Sequence, residues 1–382
     1  MLQQAQALER SGHSCILCIE GVGSEALARR SIRDGFGYTF DQARFGWTDI
    51  PPVDVVVATI WYSAAIACTL PFPCRKVYFV QDYEAWFSPI GDNFLMAEAS
   101  YRLGLTPITI GRWLKHELER RFQTPALHFD FGADLATYRP QPQQGRELAV
   151  CFLYQPEKPR RCARIGLNAL AIVKHRRPDV KIILYGSGER GKSWVEHEHL
   201  GLLSVSECGA LYGRCAVGLS LSPSNPSRVP FEMMAAGLPV VELWRETTIH
   251  DFPDDGVILA EPAAEALAEA MLCLLADETL RQRMGTAGAA FMANRGVEIE
   301  TQQFVANMEL VLAGGPLEVA PLPPPLYRRP PITVGARVGD VPGWLKTRLN
   351  APPNAVINVL PPLLRRLAGF MGRLIRRMAE SR

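Results

Sequence analysis

Short β-branched apolar runs recur along this chain with helix-length stretches between them, and they do so in two series. That alternation narrows the fold more than any other feature, because strands separated by helical patterns pair in parallel and pack helices on both faces. The first series has runs at Ser14–Ile19, Val53–Thr59, Lys76–Val80 and Ile108–Ile110, with helical patterns at Leu2–Arg10, Phe94–Leu103 and Arg112–Phe122. The second has runs at Glu147–Tyr154, Val180–Tyr185, Gly201–Val205, Ala216–Ser220, Leu238–Leu243 and Gly256–Ala260. Helical patterns at Ala163–His175, Val205–Tyr212 and Pro230–Ala236 separate these runs, and Pro262–Leu275, Thr279–Asn294 and Glu298–Leu312 close the series. The expected fold is therefore α/β, with two Rossmann-like domains over 1–143 and 144–313 whose parallel sheets face a cleft.

The opening is unusual for such a unit. A helix followed by Gly12-His13 and a strand is the second half of a β-α-β element. The strand and turn that normally stand first, and whose loop faces the ligand, do not precede it. The expectation is that the reading frame starts upstream of Met1 or that the chain is a fragment. At the other end, 314–382 forms a third region, Pro-rich to Asn354 and then basic. Pro361–Ser381 reads as an amphipathic helix, with Leu363, Leu367, Phe370, Leu374 and Met378 on one face and five arginines on the rest. Such a helix lies on an anionic membrane surface or docks on protein.

Composition excludes several classes. Apolar residues are 48% and charged residues 21% of 382, enough for two cores, and a formal net charge of +2 points to no nucleic-acid partner. Nine cysteines, an odd number without a framework, suit a reducing, cytoplasmic setting. Cys15 and Cys18 fall in a strand-like run and His197-Glu-His199 in a polar segment, so neither is expected to hold a metal. No stretch reaches the roughly 18 apolar residues of a membrane span.

The most informative stretch is Leu219-Ser-Leu-Ser-Pro-Ser-Asn-Pro-Ser-Arg-Val-Pro-Phe-Glu232 and its continuation to Val241. It reads as strand, Pro-rich turn, short helix and second strand. A helix start there offers free N–H groups to phosphate, with Ser227 as donor or cap and Arg228 adding charge. Glu232 is suited to ribose hydroxyls or to stabilising the helix start. Gly186-Ser-Gly188 is a turn at a strand's C-terminal edge, where ligands of such sheets bind. Gln81-Asp-Tyr-Glu84 follows a strand of the first series. Asp82 and Glu84 either meet acceptor hydroxyls, as the candidate catalytic carboxylates, or cap neighbouring backbone. Tyr83 and Trp86 are candidates to stack on a sugar.

Phe231-Glu-Met-Met-Ala-Ala-Gly-Leu-Pro-Val-Val241 resembles the second half of the signature of family 4 retaining glycosyltransferases, which have the GT-B fold. The resemblance gives Glu232 the ribose. The signature's first glutamate, eight positions earlier, is Ser224 here, so sugar recognition must differ. Phe79-Val-Gln-Asp-Tyr-Glu-Ala-Trp-Phe87, Ala97-Glu-Ala-Ser-Tyr-Arg-Leu103 and Ile110-Gly-Arg-Trp-Leu114 are similar to the rhamnosyltransferases of rhamnan and S-layer glycan assembly. In that subgroup an aromatic and a basic turn meet the diphosphate. Tyr154-Gln-Pro-Glu-Lys-Pro-Arg-Arg161 matches, which implies Arg160 and Arg161 as phosphate ligands. Gln155 stands where an arginine is often found, and Leu202 where some members carry a lysine.

The resemblance implies a retaining, metal-independent transferase that uses a nucleotide-diphospho sugar and no cofactor. The donor suggested by the subgroup is dTDP-rhamnose. The acceptor would be a glycan or a lipid-linked oligosaccharide, met at the inner face of the cytoplasmic membrane. Absence of an Asp-x-Asp motif leaves leaving-group charge to the arginines and the helix start. Two rivals stand beside it: a sugar-nucleotide epimerase, and a non-catalytic glycan-assembly scaffold.

Overall fold

The computed structural model describes residues 1–334 except Val22, 142–144, 189–192, Ala320 and Leu322. Met1–Thr333 forms one compact unit; of the second, Val334–Arg382, only Val334 is described. The amphipathic helix expected at Pro361–Ser381 lies outside the described residues.

The N-terminal half runs α1 (Leu2–Arg10), β1 (Ile16–Ile19), α2 (Glu25–Phe36), β2 (Gln42–Phe45), β3 (Val55–Ala58), α3 (Trp61–Cys68), β4 (Arg75–Val80), α4 (Asp92–Ser100), β5 (Thr106–Ile110), α5 (Arg112–Phe122) and β6 (Leu127–Phe129). Its strands form two parallel sheets, β1-β2 and β3-β4-β5-β6. Local chemistry sets the limits of α2: Ser24 Oγ accepts from Leu27 N, and Gly37 ends the helix at φ 74°.

The C-terminal half follows with β7 (Glu147–Leu153), α6 (Ala163–Arg176), β8 (Lys181–Tyr185), β9 (Glu198–His199), α7 (Val205–Arg214), β10 (Cys215–Leu219), α8 (Val229–Ala235), β11 (Val240–Leu243), α9 (Glu246–Ile249), β12 (Val257–Ala260), α10 (Ala264–Ala276), α11 (Glu278–Met292) and α12 (Val297–Ala313). Its six strands are all parallel, in the order β12-β11-β10-β7-β8-β9. Chain order thus reverses direction between β7 and β10. That is the switch point of a doubly wound sheet, outside whose strand ends ligands bind.

Two departures from the sequence reading have local causes. Gly201–Val205 is not a strand, because Ser204 and Glu207 form a reciprocal capping box that draws Val205 into α7. The sheet edge is instead Glu198–His199, inside the segment read as a polar loop. Its pairing runs Ile183 to Glu198 and Leu184 to His199.

The last helix among the described residues also does not close the second half. α12 packs on α1, β5 and β6, and Phe304 joins Phe79 and Phe129 in one aromatic group with centroids 5.4 and 5.7 Å away. Asn307 donates to His128 O at 2.9 Å, and Gln303 accepts from Asp130 N at 2.8 Å. Beyond α12 the Pro-rich chain returns to the edge of β12: Ile332 N donates to Leu259 O at 3.0 Å and Glu261 N to Ile332 O at 3.0 Å.

Several groups join the halves. Phe131, Phe231 and Phe252 stack, with centroids 4.6 and 4.9 Å apart. Asp251 accepts from Arg112 N at 2.9 Å and so caps α5 from the other half. Glu300, buried on α12, accepts from Arg228 at 2.8 Å, from Gly132 N at 2.9 Å and from Gln4 at 2.7 Å. Removing one partner of such a buried pair leaves the other charge uncompensated. Glu300→Ala is therefore expected to lower unfolding free energy by about 3–5 kcal/mol, read from urea unfolding. A loss below about 1 kcal/mol would mean that the halves do not depend on it.

Candidate functional site at the switch point

The loops that leave β7, β10 and β11 meet at the switch point. The loop after β10 runs Ser220 to Arg228 and is fixed from the N-terminal half. Asp82 Oδ2 accepts from Ser224 Oγ at 2.8 Å, and Asp82 Oδ1 accepts from Asn225 N at 3.1 Å and Tyr83 N at 2.8 Å. Asn225 Nδ2 donates to the carbonyls of Gln81 (3.0 Å) and Ile110 (2.9 Å). Burial raises the Asp82 carboxyl pKa; the hydrogen bonds from Asn225, Ser224 and Tyr83 pull it back.

Several polar atoms at this edge are buried and have no hydrogen-bond partner among the described residues: Arg161 Nε and Nη1, Ser220 Oγ, Asn225 Oδ1, Ser227 Oγ and Glu242 Oε2. They come from the ends of three adjacent strands. Unpaired polar atoms in a folded interior are costly, so a cluster of them marks a place for a ligand or ordered water. Arg161 brings positive charge. Its own pKa is lowered, first by burial and then by Arg160 beside it. Arg160 lies over the Phe87 ring at 4.5 Å.

Glu232 sits on α8, a seven-residue helix that begins after Arg228 without a side-chain cap. Burial lifts its pKa to about 7, against the pull of Arg228 and a hydrogen bond with Tyr138. Gly186, after β8, has φ 98°, and a Cβ there would lie 2.6 Å from Leu153 Cδ1, so the turn requires glycine. Its carbonyl accepts from Gln155 Nε2 at 2.9 Å. Tyr154 is buried on the opposite face of the sheet, in the cluster with Phe152 and Leu167.

The structure corrects four expectations. Glu84 Oε2 accepts from Trp61 N at 2.8 Å and caps α3, so of its two readings the structural one holds. Asp82 has both oxygens bonded across the halves, which leaves it a positioning group rather than an open carboxylate. Tyr83 cannot stack on a sugar: its ring is fully buried against Trp86, Tyr101 and Phe122. Arg228 is engaged within the chain, donating to Gly132 O and pairing with Glu300, so it is not a free cation at the helix start. Trp86 keeps about a third of its surface open, and beside it Phe87, Ile90, Leu95 and Met96 are exposed.

Sequence reasoning does not single out Glu242, Ser220 or Asn225. Their signals are an acid inside the apolar run Val240-Val-Glu-Leu243 and the period-two serines of Leu219-Ser-Leu-Ser222. A cavity of about 210 Å³ lined by Asp130, Gly132, Arg295, Gly296 and Glu300 draws no residue from the ends of β7, β10 or β11. The charge there is already paired, Arg112 and Arg295 both on Asp130.

The fold has counterparts among solved structures. The α/β architecture with parallel sheets matches GT-B glycosyltransferase structures. One is Anabaena HepE in complex with UDP-glucose (TM-score 0.61, 16% identity, 81% of this chain and 94% of that one). Another is sucrose-phosphate synthase from Thermosynechococcus elongatus (TM-score 0.57, 15% identity, 75% and 77%). More particularly, residues 148–272 match the family model described as WsaF, C-terminal domain. The chain is 30% identical over 274 residues to the O-antigen biosynthesis protein RfbC of Myxococcus xanthus, a match covering 68% of this chain and 21% of that protein. It is 27% identical over 233 residues to a phosphatidyl-myo-inositol mannosyltransferase of Mycobacterium tuberculosis, covering 54% and 61%. The chain thus spans less than two thirds of each of these two proteins.

The raised pKa of Glu232 predicts a pH signature. Between about pH 4.5, the unfolded value, and about 7, the folded chain holds a proton that the unfolded chain has released. Stability from this group is therefore lost as pH rises through that window and is flat above it. Glu232→Gln, which does not titrate, is expected to gain on the native chain by on the order of 2–3 kcal/mol between pH 4.5 and 7. A difference that stays constant with pH in urea unfolding would contradict this.

Proposed function

We propose that this chain is a glycosyltransferase that moves a sugar from a nucleotide-diphospho donor to a glycan or lipid-linked acceptor, with retention at the anomeric carbon and without a metal. The observation that carries the reading is the group of unpartnered buried polar atoms at the switch point, beside two arginines. Similarity to glycosyltransferases, among them one solved with UDP-glucose, supports a sugar nucleotide as the ligand.

In this reading Arg160, Arg161 and Ser227 take the diphosphate and Glu232 the ribose. As the glycosidic bond to the donor breaks, negative charge grows on the leaving diphosphate, and fixed guanidinium and hydroxyl donors stabilise it without reorganising. The acceptor hydroxyl attacks on the face the diphosphate leaves and gives its proton to a phosphate oxygen. No protein base is then required, which agrees with both carboxylates of the Asp82–Glu84 loop being bonded to backbone. The exposed row from Trp86 to Met96 supports a lipid-linked acceptor, approached from the inner face of the cytoplasmic membrane. Rhamnose from dTDP-rhamnose is the first donor to test.

One observation favours a second reading. Gln155 is turned to Gly186 O and Leu202 is 75% exposed, so neither position offers the diphosphate a cation. A non-catalytic, nucleotide-binding scaffold for glycan assembly would tolerate that.

Release of nucleoside diphosphate from dTDP-, UDP- and GDP-sugars, with and without candidate acceptors, separates the two. The transferase reading expects acceptor-dependent release from one nucleotide family, undiminished by EDTA. Glu232→Ala is expected to lower kcat/KM about 10- to 100-fold through loss of a charge-assisted hydrogen bond. Nucleotide binding without release, for every donor and acceptor, would leave the scaffold.

A further inference from the structure

Glu242 is an acid near the C-terminal end of a buried strand, β11, and it is 0% exposed. Val241 and Leu243 beside it belong to the cluster under α10, and Val240 to the cluster shared with the N-terminal half. By alternation Glu242 faces the shared side, as Val240 does. One oxygen is anchored: Oε1 accepts from Ser222 N at 2.9 Å and Leu243 N at 2.8 Å. The other, Oε2, is buried without a partner. A leucine would fill the position without that cost, so the free oxygen calls for a donor that arrives from elsewhere.

The surroundings say what kind of donor. Arg161 is the cation that acts on Glu242, yet among the described residues no ion pair joins them, and Arg161 Nε and Nη1 are also unpartnered. Ser220 Oγ, from the strand between their two strands, is free as well. A ligand that bridges this group must offer an anion to Arg161 and neutral hydroxyl donors to Glu242, since a carboxylate repels phosphate. A sugar attached to a diphosphate has both, in adjacent positions. Position 224 cannot serve instead, because the Ser224 hydroxyl is bonded to Asp82 at 2.8 Å.

We propose that Glu242 is the specificity-determining residue for the transferred sugar, its free oxygen accepting from a sugar hydroxyl while Arg161 holds the diphosphate. The role that a glutamate at position 224 would fill is thus supplied from the neighbouring strand. This rests on the donor-site reading given above and goes beyond it in naming the sugar contact.

The test compares affinity for a nucleoside diphosphate with affinity for its nucleotide sugar, by isothermal titration of the full chain with dTDP and dTDP-rhamnose and with UDP and UDP-glucose, at about pH 9 so that the Glu242 carboxyl, which burial pushes up to about 8, is ionised. Glu242→Ala is expected to weaken the sugar-bearing ligand about 10-fold or more and the bare diphosphate by less than about 2-fold, the signature of one lost charge-assisted hydrogen bond. Glu242→Gln is nearly isosteric and keeps an oxygen for the two backbone donors, so it guards against a folding defect in the alanine variant. It is expected to weaken only the nucleotide sugar, by several-fold. Equal weakening of both ligands, or none of either, would overturn the proposal and leave Glu242 a buried structural acid. Absence of binding by any nucleotide to the unaltered chain would overturn the donor-site reading and this proposal with it.

Discussion

The loop between β10 and α8 is tied to the other half through the Asp82 carboxylate. Asp82 accepts from Ser224 Oγ and Asn225 N, and Asn225 in turn donates to the carbonyls of Gln81 and Ile110. Fixing that loop fixes where Ser227 lies and where α8 starts, and hence the position of Glu232. The same contact makes the geometry of the donor edge depend on how the halves meet. The stacked Phe131, Phe231 and Phe252 and the Glu300 hub support that meeting from beside α8, the helix that carries Glu232. Small displacements of such positioning groups are felt at the reacting atoms.

Burial is the second constraint. Asp251, Glu232, Glu84 and Glu242 all have carboxyl pKa values raised by desolvation, to about 6, 7, 7 and 8 respectively. Two of these serve the scaffold, since Asp251 caps α5 and Glu84 caps α3. Glu232 and Glu242 lie at the switch-point side of the sheet. Glu242 uses only one oxygen for backbone, which separates a group waiting for a partner from one already satisfied.

Most of the secondary structure is legible in the sequence, and so is the strand edge that carries the unpartnered polar atoms. α1 and α5 begin and end where the pattern puts them, because their apolar periodicity is clean and bounded by glycine or polar residues. The Gln42–Phe45 strand escapes notice because Gln-Ala-Arg-Phe is short and half polar. The path of α12 escapes for another reason: a helix's apolar face does not say which sheet it covers, and here that sheet is in the other half. Site residues divide the same way. Arg161 and Ser227 stand in motifs, and that is what draws attention to them in the sequence. The pairing of Arg228 is not legible, because its partner, Glu300, is 72 positions away. Glu242 is hidden in a run that counts only as apolar until its unpaired oxygen is seen.

Everything proposed for the donor edge requires that the ends of β7 and β10 bind the diphosphate of a sugar nucleotide. Thermal-shift titration with dTDP, UDP, GDP and ADP reads that binding, because a ligand that binds only the folded chain raises the unfolding midpoint in step with its occupancy. A concentration-dependent rise is expected with one nucleotide family, abolished in Arg161→Ala and undisturbed by EDTA. No rise with any nucleotide, or a rise that Arg161→Ala leaves intact, would contradict it.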